Sequence, residues 1–267
     1  MDDSTPVELR QWADAPYLLI ETPKHKAGKT GYTDAYMETA STMCVVHNAL
    51  LRGLNSIYIQ GPSILPADYK DFIGYSLCWH SAIHEHHTSE EDQFFPDIEE
   101  AVGERGLLDN NVQQHKSFQS GLDEFSSYLK SLAGKESSFD AARLNGIIAS
   151  FAPALCDHLE SEIQSLQDLS KYGAKLPIDD LWSKEGQRTV IAMTKFSALP
   201  FFFLNLDVTH EDYLWKDWPP IPRPARWVIT RCFTLWHQGY WKFASCDRNG
   251  IPKPLYAAGN PLDGTFK

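Results

Sequence analysis

Two short patterns in this chain could hold metal. His86 and Glu90 stand four residues apart, and so do His158 and Glu162. Residues at i and i+4 lie one above the other on a helix, so each pair can aim an imidazole and a carboxylate at one point. Each pair is preceded by a lone histidine: His47 stands 39 residues before His86, and His115 stands 43 before His158. The arrangement H…HxxxE therefore occurs twice at nearly equal spacing. If two such halves face each other, four imidazoles and two carboxylates converge. Six N/O donors exceed the usual four of one zinc site. They suit two cations bridged by carboxylate, and imidazole with carboxylate suits iron or manganese. Without a cation, two buried glutamates would be costly and their pKa values would rise.

Long helices must position these groups. Asp34 is a plausible N-cap, and apolar residues recur from Met37 through Ile57 until Gly61-Pro62 ends the pattern. A second helix is predicted from about Pro66 to Ala101, with Pro96 kinking it near its end. A third runs from about Asp109 to Leu132, and Gly134 stops it. A fourth runs from about Ser138 to Tyr172, with a kink at Pro153 and Gly173 as its cap. Short connections predict an antiparallel up-down-up-down four-helix bundle over 34–173. Residues 1–33 read as an irregular arm. Residues 174–267 read as a mostly helical extension packed on the bundle, with one helix near Asp179–Leu204 and another near Trp227–Phe243. No alternating strand pattern occurs, so the class is all-α.

At the same residues the chain resembles the hemerythrin/HHE cation-binding family. The matching stretches are His47-Asn48-Ala49-Leu50-Leu51-Arg52-Gly53-Leu54, the run from His86-His87-Thr88-Ser89-Glu90-Glu91 to Phe94-Phe95-Pro96, Gln114-His115-Lys116, and His158-Leu159-Glu160-Ser161-Glu162. The resemblance spans about residues 36–172. It implies an oxygen-responsive, non-haem di-iron centre inside the bundle. It carries over His47, His86, His115 and His158 as imidazole ligands, and Glu90 and Glu162 as bridging carboxylates. The chain departs from the oxygen-carrying members at two points. Asn111 stands where they have a second third-helix histidine, and the fourth-helix carboxylate is Glu at plus four rather than Asp at plus five. One imidazole fewer leaves an open coordination position, which favours oxygen activation or a labile iron-sensing site over a saturated carrier.

A rival register exists on the second helix. His80, His84, His87 and Glu91 form their own stripe, and turning the helix by one residue would offer His87 and Glu91 as ligands. The run to Pro96 favours His86 and Glu90. His87, Glu91, Asn111 and His84 are then candidates to orient a ligand from outside. Cys44, one turn before His47, reads as a small core residue, and neither His210 nor His237 has a partner at helical spacing.

Two functional classes follow. One is an oxidase or oxygenase that activates O2 to oxidise a small organic substrate. The other is a non-catalytic O2 or iron binder or sensor. The extension carries six of the eight tryptophans and Phe201-Phe202-Phe203. Those side chains serve as packing anchors, as the wall of an apolar substrate pocket, or as both.

Composition bounds the rest. The 267 residues carry 24 Lys+Arg against 35 Asp+Glu, a formal charge of −11 that argues against a nucleic-acid backbone as partner. Charged residues at 22% and apolar ones at 43% are an ordinary globular mix. The start, Met-Asp-Asp-Ser-Thr-Pro, has no basic and then apolar run, so no secretory leader is expected. No apolar stretch approaches the roughly 20 residues of a membrane span. Five scattered cysteines without a CxxC pair read as reduced thiols of a cytoplasmic protein.

Overall fold

The computed structural model describes residues 12–28 and 33–258. Among them no β-strand forms, and an isolated antiparallel bridge joins Cys246 to Pro252. The fold is all-α. The order of elements begins, after a one-turn helix at Pro23–Ala27, with α1 (Ala35–Gln60). Asp34 caps α1, accepting from Met37 N at 2.8 Å. The second long helix comes in pieces: a 3₁₀ turn at Pro66–Asp68, α2 (Tyr69–Ser89), a π turn at Glu90–Phe94, and α3 (Phe95–Val102). Pro96 explains the interruption. It has no N–H for the carbonyl four residues back, and its ring crowds that carbonyl. The chain widens one turn earlier, with Phe95 N–H donating to Glu90 O. The expected interruption thus begins at Glu90 itself.

α4 (Asp109–Ser131) and α5 (Ala141–Asp168) complete the set. α5 is capped by Asp140, which accepts from Arg143 N at 3.1 Å, and it continues through Pro153. A 3₁₀ stretch then runs to Lys175, with Gly173 at φ 51°. α1 packs on α2 and α5, and α4 packs on α2 and α5, so the four helices close a ring. Each sits at a corner with two neighbours. Trp79, Phe118, Phe125 and Phe151 fill the interior at one end. Met43, Phe94, Phe95 and Leu166 fill the other.

The extension differs from expectation in its pieces. The helix predicted near 179–204 is broken into α6 (Ile178–Ala192) and α7 (Ala198–Asn205). Thr194 causes the break: its hydroxyl accepts from Ala198 N at 3.1 Å and its carbonyl from Leu199 N at 3.1 Å. Such local bonds compete with a continuing helix. The helix predicted over 227–243 is likewise fragmented, into a turn at Arg223–Trp227, a π turn at Val228–Cys232, and 3₁₀ turns at Phe233–Leu235 and Tyr240–Phe243. Thr230 and Thr234 bond back to the carbonyls of Arg226 and Thr230, and His237 takes φ 59°. Those choices spoil a regular ladder.

α7 lies against both α1 and α2, and every residue of it is buried. Burying each of Phe201, Phe202 and Phe203 contributes roughly 1.5–3 kcal/mol. The tryptophans divide: Trp215 and Trp241 are buried, Trp182 and Trp218 half-buried, Trp227 and Trp236 exposed. No described helix is long and apolar enough to cross a membrane. Of the N-terminal arm, residues 1–11 and 29–32 lie outside the described residues.

Candidate metal centre

The six residues of the doubled pattern meet in the middle of the bundle. His47 comes from α1, His86 from α2, Glu90 from the π turn, His115 from α4, and His158 and Glu162 from α5. All six are buried, His86 the least at 7% exposed. His47 Nε2 lies 3.3 Å from Glu162 Oε2, and His86 Nε2 lies 3.3 Å from Glu90 Oε1. Glu90 Oε2 reaches toward His115 Nε2 at 3.7 Å.

The outer nitrogens of three rings decide what the inner nitrogens can do. His47 Nδ1 donates to Leu159 O at 2.8 Å. His115 Nδ1 donates to Glu91 Oε1 at 2.6 Å, and His158 Nδ1 to Gln114 Oε1 at 3.1 Å. A carbonyl or carboxylate oxygen only accepts, so each of these Nδ1 atoms carries the proton. Their Nε2 atoms are left as bare lone pairs aimed inward, the form that binds metal. His115 and His158 bring two such lone pairs within 3.0 Å of each other. With the proton of each ring held on Nδ1, neither Nε2 donates to the other, and a cation between them would satisfy both.

The carboxylates show the same incompleteness. Both oxygens of Glu90, Oε2 of Glu162 and Nε2 of His87 are buried without a hydrogen-bond partner. Burial, then the charges of Glu162, Glu185 and Glu91, hold the Glu90 carboxyl well above its ordinary range. Burial also pushes Glu162 up, but the neighbouring His47, His158 and His86 outweigh it and bring it down to about 2. Burial drives His158 down to about 3 and His86 well below the usual imidazole value, so both rings are neutral donors. Seven buried imidazole and carboxylate groups, with four of their atoms unpartnered, fit a resident cation, and they form two sets compact enough to hold one. In each group the ligating atoms lie within 4.8 Å of one another: His47, His86, Glu90 and Glu162, and His87, Glu90, His115 and His158.

The four outer candidates fare differently. Glu91 holds the His115 proton. Asn111 donates to Glu162 Oε1 at 3.3 Å. His87 is inside, with its ring stacked 4.3 Å from His115. His84 is apart from the centre, exposed and stacked on His80 at 6.1 Å. Cys44 is fully buried, and burial raises its thiol to about 12, so it offers no thiolate. His210 lies between Asn48 and Arg52, and His237 stacks on Tyr240; neither joins a metal-sized group among the described residues.

One side of the centre opens into a cavity of about 670 Å³. His86 and Glu90 form its floor, and its walls come from α1, α6, α7 and the loop at Trp218–Ile221. Val46, Leu50, Trp182, Phe202, Phe203 and Trp218 make it largely apolar. Glu185 of α6 is a polar group in that wall. Its Oε1 accepts from Ser89 and, at 3.1 Å, from Thr189, while its Oε2 has no partner. Burial raises its pKa. Nothing in the sequence marks Glu185, because an isolated acid on an amphipathic helix reads as a solvated residue.

Comparison with known proteins finds a family model that matches part of the chain. Residues 41–169 match the hemerythrin HHE cation binding domain. The whole chain is similar to the "Dimeric xanthone biosynthesis cluster protein R11" of Cryptosporiopsis sp. (strain 8999), with 29% identity over 254 residues. That alignment covers 94% of this chain and 95% of the relative, so it includes most of the extension beyond the domain match. No solved structure matches.

Proposed function

We propose, from the match of residues 41–169 to the hemerythrin HHE cation binding domain, that the protein is a non-haem di-iron oxidoreductase. It binds and activates O2 and oxidises a small, largely apolar organic molecule. The observation that carries this reading is the cavity, which brings an apolar room of about 670 Å³ directly against His86 and Glu90. A carrier or sensor of a diatomic gas has no use for a room that holds a drug-sized ligand. The relative's name ties it to the biosynthesis of a xanthone, a flat polycyclic aromatic, and it shares the extension that builds the cavity wall.

The proposed ligands are His47, His86, His115, His158, Glu90 and Glu162. When bound, the iron pair supplies the electrons and the open coordination that oxygen chemistry requires. The chain supplies the rest. Leu159 O, Glu91 and Gln114 hold the outer protons of three rings and fix their orientation. Phe94, Phe95 and Phe118 pack around the centre and keep water out. Trp182 and Trp218 flank the cavity and suit a planar ring system. Glu185 lines the same space, where its carboxyl would position a substrate hydroxyl or carbonyl by hydrogen bonding. The five unpaired thiols fit a reducing compartment such as the cytoplasm.

The test is metal analysis followed by a single turnover. The purified chain should carry about two irons; one zinc per chain would sink the reading, and two manganese would replace the metal while keeping the site. The reduced protein is then mixed with O2 with and without a hydroxyxanthone. We expect the compound to speed decay of the initial oxygen band and to emerge oxidised. A band that persists, reverses under vacuum and ignores the compound would instead make the protein a binder.

A further inference from the structure

We propose that His87 is a direct metal ligand, so that seven donors, not six, hold a pair of divalent first-row cations. In this arrangement His47, His86 and Glu162 serve one cation, His87, His115 and His158 serve the other, and Glu90 serves both. The inference rests on the di-metal reading above.

Three observations carry it. Glu90 is the residue common to the two groups whose ligating atoms lie within 4.8 Å. His87 completes the second group, and without it that group has only two imidazoles. Its Nε2 is buried and has no partner in the protein. The ring is held in place by His115 at 4.3 Å and Phe118 at 5.2 Å, and it stands edge-on to His158 at 5.4 Å.

Helix geometry explains how two consecutive residues can both face the centre. Adjacent side chains diverge by about 100° around an α-helix. α2 occupies a corner of the bundle, touching α1 on one side and α4 on the other. From a corner, the two neighbours lie at roughly a right angle. His86 therefore turns to His47 of α1, with Nε2 atoms 3.1 Å apart. His87 turns to His115 of α4. Four residues on from His86 is about 40° of rotation, which sets Glu90 between the two directions. One further residue carries Glu91 outward to the far side of His115. Asn111, one turn before His115, is engaged with Glu162 instead of a cation. His87 thus supplies from α2 an imidazole in place of the one that the third long helix lacks at Asn111.

The experiment uses the full chain stripped of metal and titrated with Fe(II), and separately with Co(II), whose visible absorption reports ligand number. The wild type should take up about two equivalents. His87→Ala and His87→Gln should keep one tight site and weaken the second by more than the roughly 10–100-fold that loss of an outer partner costs. The Co(II) spectrum of the second equivalent should change, and Asn111→His added to His87→Ala should restore uptake. If both His87 variants bind two equivalents with the wild-type spectrum, the inference is overturned. Wild-type protein that takes up a single metal overturns the di-metal reading instead. Circular dichroism of the metal-free variants separates ligand loss from misfolding, and the glutamine variant preserves bulk if alanine fails to fold.

Discussion

At the scale of single residues, the centre is a set of groups that are costly apart and stable together. Glu90 has no partner for either oxygen, and its carboxyl is raised well above the ordinary range by burial and by Glu162, Glu185 and Glu91. The Nε2 atoms of His86 and His115 lie 3.3 and 3.7 Å from its oxygens, and that of His115 is a bare lone pair. An amide at this position would donate to such nitrogens without burying a charge. Glu90→Gln should therefore raise the melting temperature of the metal-free protein while abolishing the gain that metal brings to the wild type. For the wild type that gain amounts to about 4 kcal/mol when free metal is 1,000 times its dissociation constant. Calorimetry with and without Fe(II) reads both signs, and a metal-free Glu90→Gln variant less stable than wild type would refute the account. Four of the converging side chains were legible in the sequence because the HxxxE spacing is a helix turn, whatever surrounds it, and His47 and His115 because they precede the two pairs at nearly equal spacing. His87 was legible only as a rival to His86, in a register turned by one residue, and not as a ligand beside it. Its role depends on the angle at which α2 meets its two neighbours, and only packing sets that angle.

At the scale of elements, the start of α1 was legible because Asp34 caps by a local bond that needs no tertiary partner, whereas α5, expected from about Ser138, starts at Ala141 behind the cap of Asp140. Interruptions were less so. Pro96 announced one, but its effect appears upstream as the π turn at Glu90–Phe94. The break between α6 and α7 depends on the Thr194 hydroxyl choosing Ala198 N over solvent. Contacts between elements were illegible where glycine makes them. Gly53 of α1 sits where a Cβ would come 2.3 Å from the Phe201 ring of α7 and 3.0 Å from Trp79. Phe201 and Trp79 are both fully buried, so neither ring has space to retreat. Gly53→Ala gains about 1 kcal/mol of helix propensity. It should still lose about 1–2 kcal/mol net, since overpacking costs 1–3 kcal/mol and here meets two rigid rings. Denaturant unfolding measures this, and a stabilised variant would show that α7 is not pinned against α1. Phe202 and Phe203 of α7 line the cavity, so the same variant should also weaken hydroxyxanthone binding.

At the scale of the whole molecule, the arm and the extension are joined through the bundle by buried polar groups, and we propose that all three unfold as one unit. Asn55 and Asn48 of α1 hold the arm by its backbone at Tyr17 and Ile20. Glu211 of the extension accepts from Thr22 N and Oγ1 of the arm, and from its own Trp215. Those bonds hold Glu211, Asp212 and Tyr213 at positive φ, a conformation that costs of order 1–3 kcal/mol per residue. Arg52 lies at the junction. Its Nε donates to Asp14 of the arm at 2.9 Å, and its Nη2 to Asp207 of the extension at 3.1 Å. Asp14 is largely exposed and adds little, but Asp207 is buried, so removing the guanidinium strands a carboxylate. Breaking a buried pair from one side costs roughly 3–5 kcal/mol. Arg52→Met keeps the apolar stem and should lose about that much. Adding Asp207→Asn to it should recover part of the loss, because the stranded charge is then gone. If the three parts are one unit, near-UV and far-UV signals and metal release will shift together in the Arg52 variant. An early transition confined to the tryptophan signal, with metal retained, would show that the extension unfolds on its own and that the bundle holds its cations without it.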